Sequence, residues 1–203
     1  HVTGLVETYL PTLSSDRRAL LRRFRVVDVA RKVVGVGSVG TRCYVVLLAS
    51  YRDDTPLFLQ VKEAEASVLE AHVGRARQHT SGERVVDGQR LMQASSDIFL
   101  GWATVGPYHF YVRQLRDMKG SVEIERLDPD QLVSYAESCG YALARSHARS
   151  GLITAVNAYL GKGDSFPDAI TEFAMRYAEL NATDHAAMVQ AIADGQMASA
   201  THA

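Results

Sequence analysis

Apolar residues recur along this chain with two different periods, and the switches between them predict its elements. Near the N-terminus Leu5, Val6, Tyr9 and Leu10 share one helical face, and Pro11 interrupts it. A second helical piece carries Leu20, Leu21 and Phe24, with Ser15 or Asp16 able to cap it. From Arg31 the pattern becomes that of strands. Lys32, Val33 and Val34 lead into a glycine-rich segment, and Thr41 to Leu48 is dense in β-branched and apolar residues. Asp53-Asp54-Thr55-Pro56 reads as a turn, and Leu57 to Lys62 as a third strand.

The helical period returns from Glu63 to Ala94, with a break around Thr80-Ser81-Gly82. Ile98 to Val105 and Tyr108 to Leu115 form two further strands, joined as a hairpin by Gly106-Pro107. Arg116 to Gly120 is a polar linker. Asp128 then stands as N-cap, with Pro129 at the first helical position and Gln131 at the third. That helix runs to about Arg149, with Leu132, Tyr135, Ala136, Cys139 and Leu143 at helical spacing, and Gly151 ends it. Gly161-Lys162-Gly163 precedes a last helix with a stripe of Phe166, Ile170, Phe173 and Tyr177 and a stop at Gly195. The order predicts an α+β fold: a helical segment over 1–30, a lobe with a five-stranded antiparallel sheet over 31–119, and a helical segment over 120–203.

Composition narrows the class. Hydrophobic residues make up 47% and charged residues 22%, the balance of a packed globule. A formal net charge of -1 provides no broad attraction to nucleic acid or an anionic membrane. No apolar run approaches the roughly 20 residues needed to span a bilayer. Cys43 and Cys139 have neither disulfide-framework nor metal-ligand spacing, and read as reduced thiols of a cytoplasmic protein. His72 and His79 lack a partner set for a metal, and Ser146-His147, adjacent along a helix, is no nucleophile–base pair. The chain opens on His1 with an apolar helical face already under way, as expected of a fragment starting inside a helix of a longer protein. Trimming of the N-terminus is the rival reading.

One motif points to chemistry. Gly35-Val36-Gly37-Ser38-Val39-Gly40 matches G-x-G-x-x-G, which occurs in dinucleotide-binding folds and in kinases. The first use requires a helix after the loop. Here Thr41 to Leu48 has strand character, so the glycines sit at the tip of a strand–loop–strand unit, as in kinases, where such a loop covers phosphates. A plain glycine-rich turn is the third reading. Lys62 ends the next strand, where a kinase holds the lysine that binds α- and β-phosphates. Alternation puts it on one face with Phe58 and Gln60, opposite Leu57, Leu59 and Val61. A carboxylate on the following helix should pair with it, either Glu83 or Glu70. Gln114 and Leu115, just after the fifth strand, would meet adenine through backbone groups.

Longer runs carry a resemblance. Residues 28–43, Phe58-Leu59-Gln60-Val61-Lys62-Glu63-Ala64, Gly82-Glu83-Arg84-Val85-Val86, Gly88-Gln89-Arg90-Leu91-Met92-Gln93, residues 110–120 and residues 143–151 closely resemble a bacterial family, the domain-of-unknown-function 2252 family, over nearly the whole chain. The resemblance implies a protein-kinase-like or aminoglycoside-phosphotransferase-like fold in circularly permuted order, of which this chain looks like the C-terminal half. An upstream half would then supply a Gly-Asp-x-His-x-x-Asn-type catalytic loop and metal-binding aspartates.

In agreement, no Asp-x-His-x-x-Asn segment follows His147 here, and no catalytic or metal-binding residue is assigned within this chain. The implied ligands are ATP and Mg2+, with Gly35, Gly37, Ser38, Val39, Gly40, Lys62, Glu83, Gln114 and Leu115 on the nucleotide. The acceptor is unknown, and the upstream half of the same protein is the expected partner. The expected function is the nucleotide-binding part of a phosphotransferase, inactive as this fragment; the alternative is a pseudokinase-like nucleotide sensor. Two residues depart from the kinase pattern. Arg42 stands where kinases place a valine over adenine, and Gln60 where they place an alanine, and both would crowd or polarise an adenine pocket.

Overall fold

A computed structural model describes residues 2–32, 40–115 and 120–197. The chain divides into two compact units, residues 1–150 and 151–203.

The first unit opens with α1 (Val2–Tyr9), a 3-10 turn (Leu10–Thr12) and α2 (Ser15–Leu21). Ser14, not Ser15 or Asp16, is the N-cap of α2, and its hydroxyl donates to the Asp16 carboxylate. Five strands follow, β1 (Phe24–Arg31), β2 (Cys43–Ser50), β3 (Pro56–Glu63), β4 (Gly101–Val105) and β5 (Tyr108–Gln114), forming one antiparallel sheet in the order β1-β2-β3-β5-β4. Between β3 and β4 lie a single turn, α3 (Glu70–Val73), and α4 (Ser81–Met92), less helix than the run from Glu63 to Ala94 suggests; Gly74, at φ 82°, closes α3.

β1 starts at Phe24, inside the stretch expected to be helical. A bulge between Val26 and Asp28 interrupts its pairing with β2. Phe24, Val26 and Val29 line the same side of the sheet, and the extra residue at Val27 breaks the period-two alternation that would mark them as one strand.

One sheet face is apolar. Val46, Leu48, Leu57, Leu59, Val61, Phe110 and Val112 pack there with Tyr9, Leu13 and Leu21 from the N-terminal helices. The helices also close the free edge of β4. Thr8 Oγ1 accepts from Thr104 N–H at 3.2 Å and donates to Thr104 O at 3.1 Å, and Thr12 Oγ1 accepts from Trp102 N–H at 3.1 Å. Two threonines one helical turn apart thus replace a sixth strand. Gly101 lets them approach, since a Cβ there would lie 2.5 Å from Thr12 Oγ1 and 2.7 Å from the Tyr9 ring.

α4 packs on the opposite face. A Cβ on Gly82 would stand 2.4 Å from Phe110 O, so only glycine permits this approach. The unit ends with a 3-10 turn (Ile124–Arg126) and α5 (Pro129–Ser150), capped reciprocally by Asp128 and Gln131. The second unit holds α6 (Ile153–Leu160), which the sequence reading did not separate, and α7 (Ser165–Ala193). Gly161, at φ 70°, separates them, and Gly195, also at φ 70°, follows α7. None of these last three helices contains a buried residue.

Candidate functional site

The β-ladder registers assemble the α4 face of the sheet row by row. Cys43 pairs with Lys62, Lys62 with Tyr111, and Tyr111 with Trp102. The next row is Val45, Gln60 and Arg113. Directly paired residues project to the same side, so Cys43, Gln60, Lys62, Tyr111 and Arg113 share one floor. This is the alternation expected of β3. Lys62 is half-buried and, among the described residues, makes no ion pair.

The segment before β2 emerges beside this lysine. Lys32 N–H donates to Cys43 O at 2.9 Å, so β1 and β2 close on the intervening loop as an antiparallel pair. Gly35, Gly37, Ser38 and Val39 lie outside the described residues. Gly40 is described, at φ 88°, and Cys43–Ser50 is a strand. The helix that a dinucleotide-binding loop would open is not there, which removes that reading.

Arg42 turns away from Lys62. Its guanidinium donates to Glu63 Oε1 at 2.9 Å and Oε2 at 3.1 Å, and lies 3.8 Å above the Tyr108 ring. The Arg42 N–H donates to Glu63 Oε2 at 2.8 Å, while Glu63 N–H donates to Arg42 O at 2.9 Å. This clamp fixes the exit of the glycine segment to the end of β3, on the apolar side of the sheet. The expectation that Arg42 crowds the pocket is therefore corrected: Cys43 is the β2 residue on the face of Lys62.

Residues 1–191 match the family described as an uncharacterized protein conserved in bacteria (DUF2252). The chain belongs to this family. No curated protein and no solved structure matches it.

In this DUF2252 member neither expected carboxylate pairs with Lys62. Glu83 is the third residue of α4; its N–H donates to the Thr80 cap at 3.1 Å, and its Oε2 accepts from His79 N–H at 2.9 Å. Glu70 Oε1 accepts from Ser67 N–H at 3.2 Å. Both carboxylates satisfy orphan donors at helix starts.

Beside Gln60 the floor opens into a hollow of about 340 Å³, walled by Gln60, Gln89, Gln93, Asp97, Arg113 and Gln114. Arg113 Nε and Nη2 donate to Gln60 Oε1 at 3.2 and 3.1 Å. Gln60 is the one buried polar residue among those described, and its amide points at Cys43 Sγ, 3.9 Å away. Asp97 accepts from Phe99 N–H at 2.8 Å and from Gln114 N–H at 2.6 Å. Burial raises the Tyr111 phenol above its ordinary value, against the opposing charge of Arg113.

Of the backbone groups expected to meet adenine, the two N–H groups are already used: Gln114 donates to Asp97, and Leu115 donates to Phe58 O at 2.9 Å. Asp97, Arg113 and Cys43 escaped sequence reasoning. For Arg113 and Cys43 the one signal is the period-two face of their strands, which needs the register to become a site; Asp97 lies in the loop before β4 and carries no periodic signal. Among the described residues no three His, Cys, Asp or Glu side chains converge. Cys43 is buried and Cys139 exposed, neither in a disulfide. Among the described residues no helix is long and apolar enough to cross a membrane.

A second hollow, of about 590 Å³, lies on the apolar face between α1, α2 and the sheet. Its walls include Leu5, Tyr9, Val29, Tyr44, Val61 and Phe110.

Proposed function

We propose that this chain is the nucleotide-gripping part of a kinase-like phosphotransferase whose acceptor is unknown, and that an upstream part of the protein completes the catalytic and metal-binding set. The observation that carries the reading is the alignment of Cys43, Lys62 and Tyr111 in one cross-strand row. It puts an ammonium without an ion pair, among the described residues, on the α4 face, next to the strand that leaves the glycine segment. A point cation close in the fold to the exit of a glycine-rich sequence suits phosphate, because backbone N–H groups and a lysine can share its oxygens. The sheet-then-helix order, with α4 between the third strand and the last hairpin, agrees with the small lobe that the family resemblance implies.

In this reading Lys62 holds α- and β-phosphate oxygens, and the Arg42–Glu63 clamp is a positioning device for the loop. A binding-only role is the second reading. It is favoured by Glu83, whose carboxylate serves the start of α4 and not Lys62. Calorimetric titration of ATP into the wild-type chain and into Lys62→Ala tests the common part. Affinity should fall by about tenfold or more on losing a charge-assisted contact. Equal affinities would remove the role of Lys62.

A further inference from the structure

The floor of the site is built from side chains that suit one purine better than the other. Arg113 is half-buried on β5 and, among the described residues, has no carboxylate partner. Gln60 Oε1 takes the Nε–H and one Nη2–H of its guanidinium. That fixes the guanidinium plane and leaves two parallel donors on the Nη1/Nη2 end, the bidentate fork that matches two adjacent acceptors. Guanine offers such a pair in O6 and N7. Adenine presents an N6 amino donor where guanine has O6, and would face the fork donor to donor.

Opposite charge is close at hand. Asp97 walls the same hollow, and each of its oxygens accepts one backbone N–H. A carboxylate offers about four acceptor positions, so capacity remains for the N1–H and N2 amino group that guanine carries and adenine lacks. Adenine N1 finds no donor in the N–H groups of Gln114 and Leu115, because both are engaged. Gln60 and Lys62 lie two residues apart on one strand face, roughly 7 Å along β3. A ribose bridges about that gap between a base and its α-phosphate.

We propose that the hollow at Gln60, Arg113 and Asp97 is the base pocket of the nucleotide site and selects guanine. This rests on the nucleotide-binding reading above. The test is calorimetric titration of GTP, inosine triphosphate and ATP into the wild-type chain, Arg113→Gln and Lys62→Ala. In the wild type GTP and inosine triphosphate, which share O6 and N7, should bind about tenfold or more tighter than ATP. Arg113→Gln should bring both to the level of ATP and leave ATP within about twofold. Lys62→Ala should weaken all three alike.

ATP binding as tightly as GTP in the wild type, with Lys62→Ala still weakening both, would overturn the guanine pocket and leave the phosphate reading intact. No binding of any of the three at millimolar concentration would overturn both. The wild-type series decides the point even where Arg113→Gln does not fold.

Discussion

Cys43 and Lys62 face each other across the β2–β3 ladder, so the thiol and the ammonium leave the same side of the sheet. The neighbouring pair, Arg42 and Glu63, leaves the opposite side and is locked by four hydrogen bonds, one of them between the backbones. One step along the ladder thus separates a candidate phosphate contact from the clamp that holds Arg42 to the end of β3.

The clamp should be measurable as protection. The Glu63 side chain is only 6% exposed, and its removal frees both the guanidinium and the N–H of Arg42. In Glu63→Ala the Arg42–Cys43 bond should become a new early tryptic site, detected by mass spectrometry of a timed digest. Glu63→Gln keeps acceptors for the same donors and should be cut at an intermediate rate. Identical digestion of wild type and Glu63→Ala would show that the clamp does not hold the loop exit.

Gly82 should not tolerate alanine. A Cβ would meet Phe110 O at 2.4 Å and the Trp102 Cβ at 3.1 Å, forcing α4 off the sheet. Alanine improves helix propensity by about 1 kcal/mol at an exposed site. Overpacking against backbone costs about 1–3 kcal/mol and should win, so Gly82→Ala lowers the melting temperature. Gly88→Ala, with nothing within 4 Å of its added Cβ, should raise it slightly.

How much of this was legible follows from how local each signal is. Asp128 and Gln131 cap each other within one turn, and Gly106-Pro107 turns the last hairpin on its own chemistry, so sequence reading found both. β1 was hidden because the bulge at Val27 breaks the alternation that marks a strand. The face of Lys62 followed from alternation alone, while Arg113 beside Gln60 depends on a register between residues distant in sequence. Glu83 stood in the right helix for a lysine partner, but at the third position of α4 the uncapped N–H groups compete for its carboxylate. The nucleotide contacts expected of Gly35 to Val39 fall outside the described residues.

Tyr9 links the N-terminal helices to alkaline stability. It is 2% exposed, and its hydroxyl donates to Phe99 O at 2.5 Å. Burial, and next the charge of Asp97, hold its pKa far above the ordinary phenol value of about 10. A pKa raised on folding contributes stability that is complete below the unfolded value and lost above it. Unfolding free energy, measured by urea titration, should therefore fall as pH rises past about 10. Tyr9→Phe should be less stable at neutral pH by about 1 kcal/mol for the lost hydrogen bond, and should show a shallower alkaline decline. Parallel declines in the two proteins would assign the effect to other groups.

Lys62 is one of four lysines, with Lys32, Lys119 and Lys162, so a lysine-directed nucleotide probe gives a clear answer. A nucleoside triphosphate carrying an acyl group on its terminal phosphate acylates an amine held against the phosphates. Lys62 should be modified fastest, and excess free nucleotide should suppress its labelling. Modification of Lys62 no faster than that of Lys162, or unaffected by competing nucleotide, would contradict the nucleotide-binding reading.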